Sequence, residues 1–402
     1  MNLRQNLNKQ RARKTHVALT TLNFLLVVLS VSNFACAQPV KPKVELKGHT
    51  DKIRMVTFSP DGALIATAGN DGTARLWNLK GAQISRLEVK TSEVRNVKFS
   101  PDGHRIITLT WGKSEKLWGR NGELISVLEG HPRIIHYAEF SPDSSQLVTS
   151  SVDGSVRVWS KQGQPLAVLK GHSDHVLFAK FSPDNSRLIT SSMDGTARLW
   201  NCEGKQLAEI TEHKRGVFYA EFSPDGQRIV TDSFDKTLCL LDRYGEKISV
   251  LPGNIRWGRK SRFNPDGTRF VTPTHDKTAR LYDRNGNEIA ILAGHKGEVW
   301  AAKFDPTGNR IVTASKDQTA RLWSNDGKLL KVLEGHAGVP LVSFSPDGNI
   351  LLTIDDETAR LWDRSGNLLG IIKCRYAEFS PDCKHIVAIT GGKTAFVYRI
   401  PL

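Results

Sequence analysis

Serine, histidine, aspartate and cysteine all occur in this chain, so nucleophilic catalysis is the first chemistry to weigh. A nucleophile, its base and the group that orients the base form one constellation, built once. Here every His–Asp pair that can be placed recurs at one fixed position of a repeat, which reads as architecture. The residues that stand outside the repeat pattern, Trp111, His136, His175 and His275, form no recognisable set. No histidine–cysteine group has zinc-ligand spacing. Gly391-Gly392-Lys393 lacks the preceding glycine and the spacing of a phosphate-binding loop. Asparagines and aspartates in the turns fit turn geometry better than a calcium loop. No catalytic, cofactor or metal residue is therefore assigned.

What must position these side chains is a repeat. Phe58-Ser59-Pro60-Asp61-Gly62 opens a series whose phenylalanine returns at Phe99, Phe140, Phe181, Phe222, Phe263, Phe304, Phe344 and Phe379. The first six intervals are 41 residues, the next 40 and the last 35. A second marker keeps the same beat: Trp77, Trp118, Trp159, Trp200, Leu241, Tyr282, Trp323, Trp362 and Tyr398. Within residues 48–88, Ile53 to Phe58 alternates and is rich in branched residues, which predicts a strand. Ser59 to Gly62 has turn chemistry, Leu64 to Ala68 is a second strand, and Asn70-Asp71-Gly72 turns again. Thr73 to Trp77 and Ala82 to Leu87 complete four short antiparallel strands. Such a unit at a period near 40 is the mark of a β-propeller blade.

Gly-His at the start of the unit, Asp in its second turn and Trp ending its third strand resemble the WD-repeat family of β-propellers, over residues 43–400. The resemblance implies a hydrogen-bonded tetrad of His, Ser or Thr, Asp and Trp inside each blade. Four copies are complete: His49, Thr67, Asp71 and Trp77; His131, Thr149, Asp153 and Trp159; His172, Thr190, Asp194 and Trp200; His295, Thr313, Asp317 and Trp323. Other units depart. The second has Lys90 and Gly112 where His and Asp belong; the fifth has His213, Thr231 and Asp235 but ends in Leu241. The sixth has Asn254 and Tyr282, and the ninth keeps only its strands. The eighth, one residue shorter in its turn, is read with His336, Thr353, Asp356 and Trp362.

The ninth unit ends without a fourth strand, while Lys43 to Lys47 is a spare fourth strand before the first unit. Joining them predicts an all-β, single nine-bladed closed ring with the N-terminal strand completing the last blade. Closure removes exposed sheet edges. Eight blades, or two smaller propellers, are the alternatives.

The formal net charge is +15, and Arg4, Lys9, Arg11, Arg13 and Lys14 supply part of it before a largely apolar stretch from Val17 to Val31. With Ala35-Cys36-Ala37 following, residues 1–37 read as a secretory signal peptide cleaved after Ala37, or as an uncleaved membrane anchor. Residues 38–42 are a short linker. Either reading places the repeats in an extracytoplasmic compartment, secreted or periplasmic. The remaining cations are spread by the repeat, notably at Arg75, Lys116, Arg157, Arg198, Arg280, Arg321 and Arg360, where each stem would cover apolar surface and each head reach water. That dispersal argues against a nucleic-acid partner. Cys202, Cys239, Cys374 and Cys383 occupy no repeated position and read as free thiols.

In the family, the residues three and five after the blade histidine and the one before the turn aspartate line the upper mouth of the ring. Carried onto this sequence, the mouth holds Arg54, Arg95, His136, Leu177, Phe218, Arg259, Trp300 and Arg375 at the fifth position, with Lys52 and Trp257 at the third. The residue before Asp adds Asn70, Trp111, Val152, Met193, Phe234, His275 and Lys316. Aromatic and arginine side chains dominate interface energies. The expectation is a non-catalytic interaction scaffold that binds a protein or peptide with acidic and apolar segments across this mouth. An exported enzyme or small-ligand binder using the central channel is the alternative.

Overall fold

The computed structural model describes residues 39–89, 93–253 and 260–400. They form nine four-stranded antiparallel sheets, each made of consecutive strands except the last. That ninth sheet is Tyr376–Phe379, His385–Ile389 and Thr394–Arg399, closed on its outer side by Pro42–Lys47. Leu46 lies opposite Ala395 and Glu45 opposite Phe396. The chain ends are thus sewn together, and the nine-bladed ring is closed; neither eight blades nor two propellers is found.

Burial follows strand position. In the first blade the second strand, Leu64–Gly69, and the third, Thr73–Asn78, are buried almost throughout, because each has a blade on either side. The outer strand, Gln83–Glu88, buries only Leu87. The apolar clusters cross from blade to blade rather than staying inside one. Ala66, Leu76 and Leu87 of blade 1 pack on Val97, Ile106 and Trp118 of blade 2. Ile354, Leu361 and Ile372 of blade 8 pack on Ile386 and Tyr398 of blade 9, and Val387 and Val397 of blade 9 pack on Val56 and Ile65 of blade 1.

The Ser-Pro-Asp-Gly marker is a turn held by its own side chains. Ser59 Oγ donates to Asp61 at 2.6 Å, and Asp61 accepts from Ala63 N at 3.1 Å. Leu64 N donates to Ser59 Oγ at 2.9 Å. Gly62 sits at φ 70°, a left-handed conformation that costs glycine nothing. Ser144, Asn185 and Cys383 take the same conformation in their blades, so the marker varies where the turn tolerates it.

Candidate interaction site

All four complete tetrads form. In blade 4, Trp200 Nε1 donates to Thr190 Oγ1 at 2.9 Å. Thr190 Oγ1 lies 2.7 Å from His172 Nε2, and His172 Nδ1 lies 2.8 Å from Asp194. Asp194 also accepts from the backbone of Ser173 and Thr196 and from the Thr196 hydroxyl. The order of protons follows from chemistry: indole only donates and a carboxylate only accepts. The threonine hydroxyl must then donate to a neutral imidazole, whose other N–H donates to aspartate. The same chain runs through His49, Thr67, Asp71 and Trp77, where the three side-chain links are 2.8 to 3.0 Å. It runs through His131, Thr149, Asp153 and Trp159, and through His295, Thr313, Asp317 and Trp323.

This sequence of hydroxyl, imidazole and carboxylate has the connectivity of a catalytic triad. The hydroxyls of Thr67, Thr149, Thr190 and Thr313 are on residues with 0% exposure, however, and each is occupied by an indole N–H. No substrate can reach them, and the tetrads serve the blade.

The recurrent cations of the third strands do not simply reach into water. Arg157 donates to Gly130 O at 2.8 Å, and Lys116 to Glu88 O and Val89 O at 3.0 Å. Arg75 is 7% exposed, within 3.8 Å of Asp71 and bonded to Gln83 at 2.7 Å. The heads of Arg157 and Lys116 tie the third strand to the loop entering the blade, and that of Arg75 ties it to the outer strand. A Cβ on Gly48 would lie 2.6 Å from the Arg75 head and one on Gly130 2.8 Å from that of Arg157, contacts a flexible arginine can yield, while Gly130 is held by its φ of 134°.

At the mouth the side chains divide. Trp111 is 55% exposed, with the Arg95 guanidinium 4.8 Å over its ring. Arg95 directs its donors inward, to Thr110 O at 2.7 Å and across to Ile135 O and His136 O of blade 3 at 3.0 and 2.7 Å. It is a clasp between blades as much as a contact residue. Arg54 is exposed and bonded to Asn70. Arg54, Lys52, Arg375, Tyr376 and Gly391 line a cleft of about 360 Å³ between blades 9 and 1. Met193 is exposed, His136 and Phe234 are half-buried, and Trp300 is half-buried with Lys316 Nζ 5.6 Å over its ring. Lys316 pairs with Glu298 at 3.0 Å. Val152 is half-buried and His275 exposed.

Two expected rim residues are corrected. Leu177 and Phe218 are each 3% exposed, packed with Tyr219 and against Phe178 and Phe234 beneath the rim. Apolar side chains at that height bury themselves against one another instead of facing water. Trp257 and Arg259, with Lys90 and Asn254, lie outside the described residues, as does the segment 1–37.

The profile described as IFT122 first beta-propeller matches residues 93–363, more than half of the chain, and that of the WD domain, G-beta repeat, matches residues 40–78. This chain belongs to the WD-repeat β-propeller family. Among curated WD-repeat relatives, Ribosome assembly protein 4 of Chaetomium thermophilum is 52% identical over 40 residues, 10% of this chain and 8% of that protein. Ribosome biogenesis protein ERB1 of Debaryomyces hansenii is 43% identical over 47 residues, 11% of this chain and 6% of the relative. MST50-interacting protein 11 of Pyricularia oryzae is 59% identical over 32 residues, 8% and 10% of the two chains. Each match is about one repeat long and spans a tenth or less of the relative. The crystal structure of the computationally designed Ika8 protein aligns with TM-score 0.60 at 24% identity, over 90% of this chain and all of the designed one. That likeness concerns the fold alone.

Two WD-repeat units solve the tetrad problem differently. In blade 8 the carboxylate is Asp355, not Asp356. The shorter turn brings Asp355 into reach of Ala337 N, Glu357 N, Thr358 N and Arg360, all between 2.7 and 3.0 Å. His336 still meets Thr353 at 2.8 Å, but its Nδ1 lies 3.2 Å from Gln318 O of the preceding blade. In blade 2, Trp118 and Thr108 pair at 3.0 Å without a histidine. Glu115, 1% exposed, replaces the missing turn aspartate by accepting Thr110 N at 3.0 Å. Sequence reasoning missed Glu115; its only signal is a carboxylate three residues before Trp118, where the other blades carry Ala, Val or Leu.

These environments have a pH signature. Burial depresses His49, His131, His213, His295 and His336, the last to about 4. A depressed histidine gives stability that is present above the ordinary 6.5 and lost as pH falls through the folded value. Burial pushes Glu115 up to about 8, against the Thr110 N–H and nearby Arg95. Its contribution has the opposite sign: present below 4.5 and lost as pH rises through about 8.

Two measurements follow. In urea unfolding, Asp194→Ala and Asp355→Ala are each expected to cost about 3 kcal/mol, since each strands several buried donors. Asp356→Ala should cost under about 0.5 kcal/mol; the reverse ranking of Asp355 and Asp356 would restore the sequence assignment. In thermal melts, Glu115→Gln should match the parent near pH 4.5 and melt a few degrees higher at pH 8.5. Coincident curves at both values would remove Glu115 as a source of alkaline destabilisation.

Proposed function

We propose that this protein is a non-catalytic interaction scaffold of an extracytoplasmic compartment, holding a protein or peptide across the upper mouth of its ring. WD-repeat propellers are in general protein-binding scaffolds, which supports the coarse reading. The observation that carries the finer one is the uneven mouth. Trp111 lies open under Arg95, and the cleft between blades 9 and 1 gathers Lys52, Arg54 and Arg375, of which Arg54 also meets Glu93 at 3.5 Å. An exposed indole offers a large rigid anchor, and a cationic cleft offers a seat for a partner's acidic side chain. Repeated residues are committed to the blades, so the variable residues at the mouth are left to recognise something.

Export is supported by the basic front, the apolar stretch from Val17 to Val31 and Ala35-Cys36-Ala37. The four cysteines from Cys202 onward are free thiols, two of them buried. Packing accounts for them without a disulfide framework.

Binding to a partner isolated from the protein's own compartment provides the test. Trp111→Ala combined with Arg375→Ala is expected to weaken affinity at least about thirtyfold, a loss of roughly 2 kcal/mol. Tyr244→Ala, which removes an aromatic that is 60% exposed in the loop after a third strand at the opposite end, should leave it unchanged. Equal affinity for both variants would end the mouth reading. Independently, sequencing the mature protein should find Gln38 as its first residue. An intact Met1 on membrane-bound protein would replace cleavage by anchoring, and an intact Met1 on protein in the cytoplasm would overturn export.

A further inference from the structure

The innermost strands carry two rings, half-buried except for the fully buried Tyr219, that the blade pattern does not explain. One lies three residues before each marker phenylalanine and includes Tyr137, Phe178, Tyr219, Lys260 and Tyr376. The other, one residue before the marker and a layer further from the mouth, reads Thr57, Lys98, Glu139, Lys180, Glu221, Arg262, Lys303, Ser343 and Glu378 around the ring. Corresponding positions on neighbouring blades touch. Tyr137 and Phe178 have ring centroids 4.9 Å apart, and Phe178 and Tyr219 5.2 Å. Lys180 reaches Glu139 at 3.3 Å and Arg262 reaches Glu221 at 3.3 Å. These side chains line the central channel.

Their charges do not balance. On these two rings Lys98, Lys180, Lys260, Arg262 and Lys303 outnumber Glu139, Glu221 and Glu378, and Asp232, buried beside Arg262, adds a fourth acid without closing the gap. Two of those acids are engaged by Lys180 and Arg262, and Glu378 is taken up on the far side by Thr57 Oγ1 at 2.8 Å and by Phe58 N and Tyr376. Three lysines have no carboxylate within hydrogen-bond reach among the described residues. Lys98 donates to Ala138 O at 2.8 Å and Lys303 to Val342 O at 2.9 Å, both backbone carbonyls. Lys260 Nζ lies over the rings of Tyr219 and Phe178, at 4.0 and 4.5 Å, and makes no hydrogen bond among the described residues. Burying ammonium groups this way is costly unless an anion joins them.

We propose that the central channel is a binding site for a small multiply charged anion, a polyphosphate or polycarboxylate, held by Lys260, Arg262 and Lys303 on blades 6 and 7, with Lys180 on the blade 4 strand that Lys260 reaches and Lys98 on blade 2. This site is separate from the mouth and does not rest on the scaffold reading. A multiply charged anion meets several ammonium groups at once with charge-assisted hydrogen bonds. The aromatic walls at Phe178 and Tyr219 keep bulk water from screening them. Desolvation lowers Lys98 and Lys303 to about 8 and Lys260 to about 7; Arg262 and Lys180 also lower Lys260, while Glu221 and Glu139 oppose this. An anion reverses that shift, so binding at pH 8 takes up protons.

Isothermal titration of inorganic triphosphate and of citrate into the whole protein, at pH 8 in two buffers of different ionisation enthalpy, tests this. Saturable one-to-one binding with net proton uptake is expected. Lys260→Met and Lys303→Met should each weaken it at least about tenfold, equivalent to about 1.4 kcal/mol. Each variant should melt no lower than the parent without anion, since it removes a buried charge, so lost binding is not lost folding. The tighter of triphosphate and citrate tells a phosphate from a carboxylate ligand. Absence of saturable binding, binding undiminished in both variants (surface attraction to a +15 protein), or binding of poly-glutamate but of neither small anion would each overturn the proposal.

Discussion

A sheet that is apolar on both faces has nowhere to stand alone; it needs another sheet on each side. Every blade of this propeller meets that demand only through its neighbours, because the clusters of buried side chains run between blades. The demand has no natural end in a row of blades, and so the row must become a circle. The seam at blade 9 makes it one: Pro42–Lys47 pairs with Thr394–Arg399, and Leu46, fully buried, belongs to the same cluster as Val387 and Trp77. The stability of the whole depends on the first and last segments finding each other across the entire sequence. Such a contact has the largest loop-closure entropy in the molecule and rewards folding only after the intervening blades have formed.

Within that constraint the tetrad is a refinement. Blades 1, 3, 4 and 7 carry it whole; the others show what can replace it. Blade 5 gives up the indole for Leu241 yet keeps His213 on Thr231 at 2.8 Å and Asp235 at 3.2 Å. Blade 6 stacks Phe270 on Tyr282 at 5.2 Å, filling with aromatic contact the place of a hydrogen-bonded chain. It is also fastened to blade 5 through Asp232, which accepts from both Ser261 N and Ser261 Oγ. Blade 9 relies on the seam. What the fold requires is that the space between the second and third strands be filled; the histidine chain is one answer among several.

The architecture was legible because it is repeated. A phenylalanine at intervals of 41 residues through seven blades and a Gly-His before five of the nine leave little freedom in counting strands, and the spare segment before His49 had one vacant edge to fill. The misreadings came where a side chain's fate depends on its neighbour in space. Leu177 and Phe218 occupy rim positions by count, but two adjacent apolar residues there fold onto Tyr219. Asp356 matches the aspartate column only if the column is not shifted by the missing turn residue; the backbone donors converge on Asp355. The third-strand arginines were read as snorkelling to water, whereas Arg157 and Arg360 reach the carbonyl of the loop glycine and Arg75, Arg198 and Arg280 bond to the outer strand. The channel ring was visible all along as Lys98, Glu139, Lys180, Glu221, Arg262 and Lys303 at the repeat spacing, but its meaning needs the strands to be known as innermost.

The same repeat that hides function also exposes it by subtraction. At positions where the blade needs a particular residue, all complete copies agree, and nothing specific can be recognised there. Where the blade is indifferent, the copies differ, and the differences collect in two places: the mouth, with Trp111, Arg54, Arg375 and Met193 in the open, and the channel, with its alternating charges. At the mouth an exposed ring costs the fold little, so selection for a partner can place it freely. In the channel Lys98, Lys260 and Lys303 are held in a poorly hydrated space against backbone carbonyls or ring faces and no carboxylate within hydrogen-bond reach among the described residues, so their desolvation is only partly offset. Packing would have been served as well by methionine or leucine there. Residues that the fold would be better without are the ones whose presence asks for a ligand.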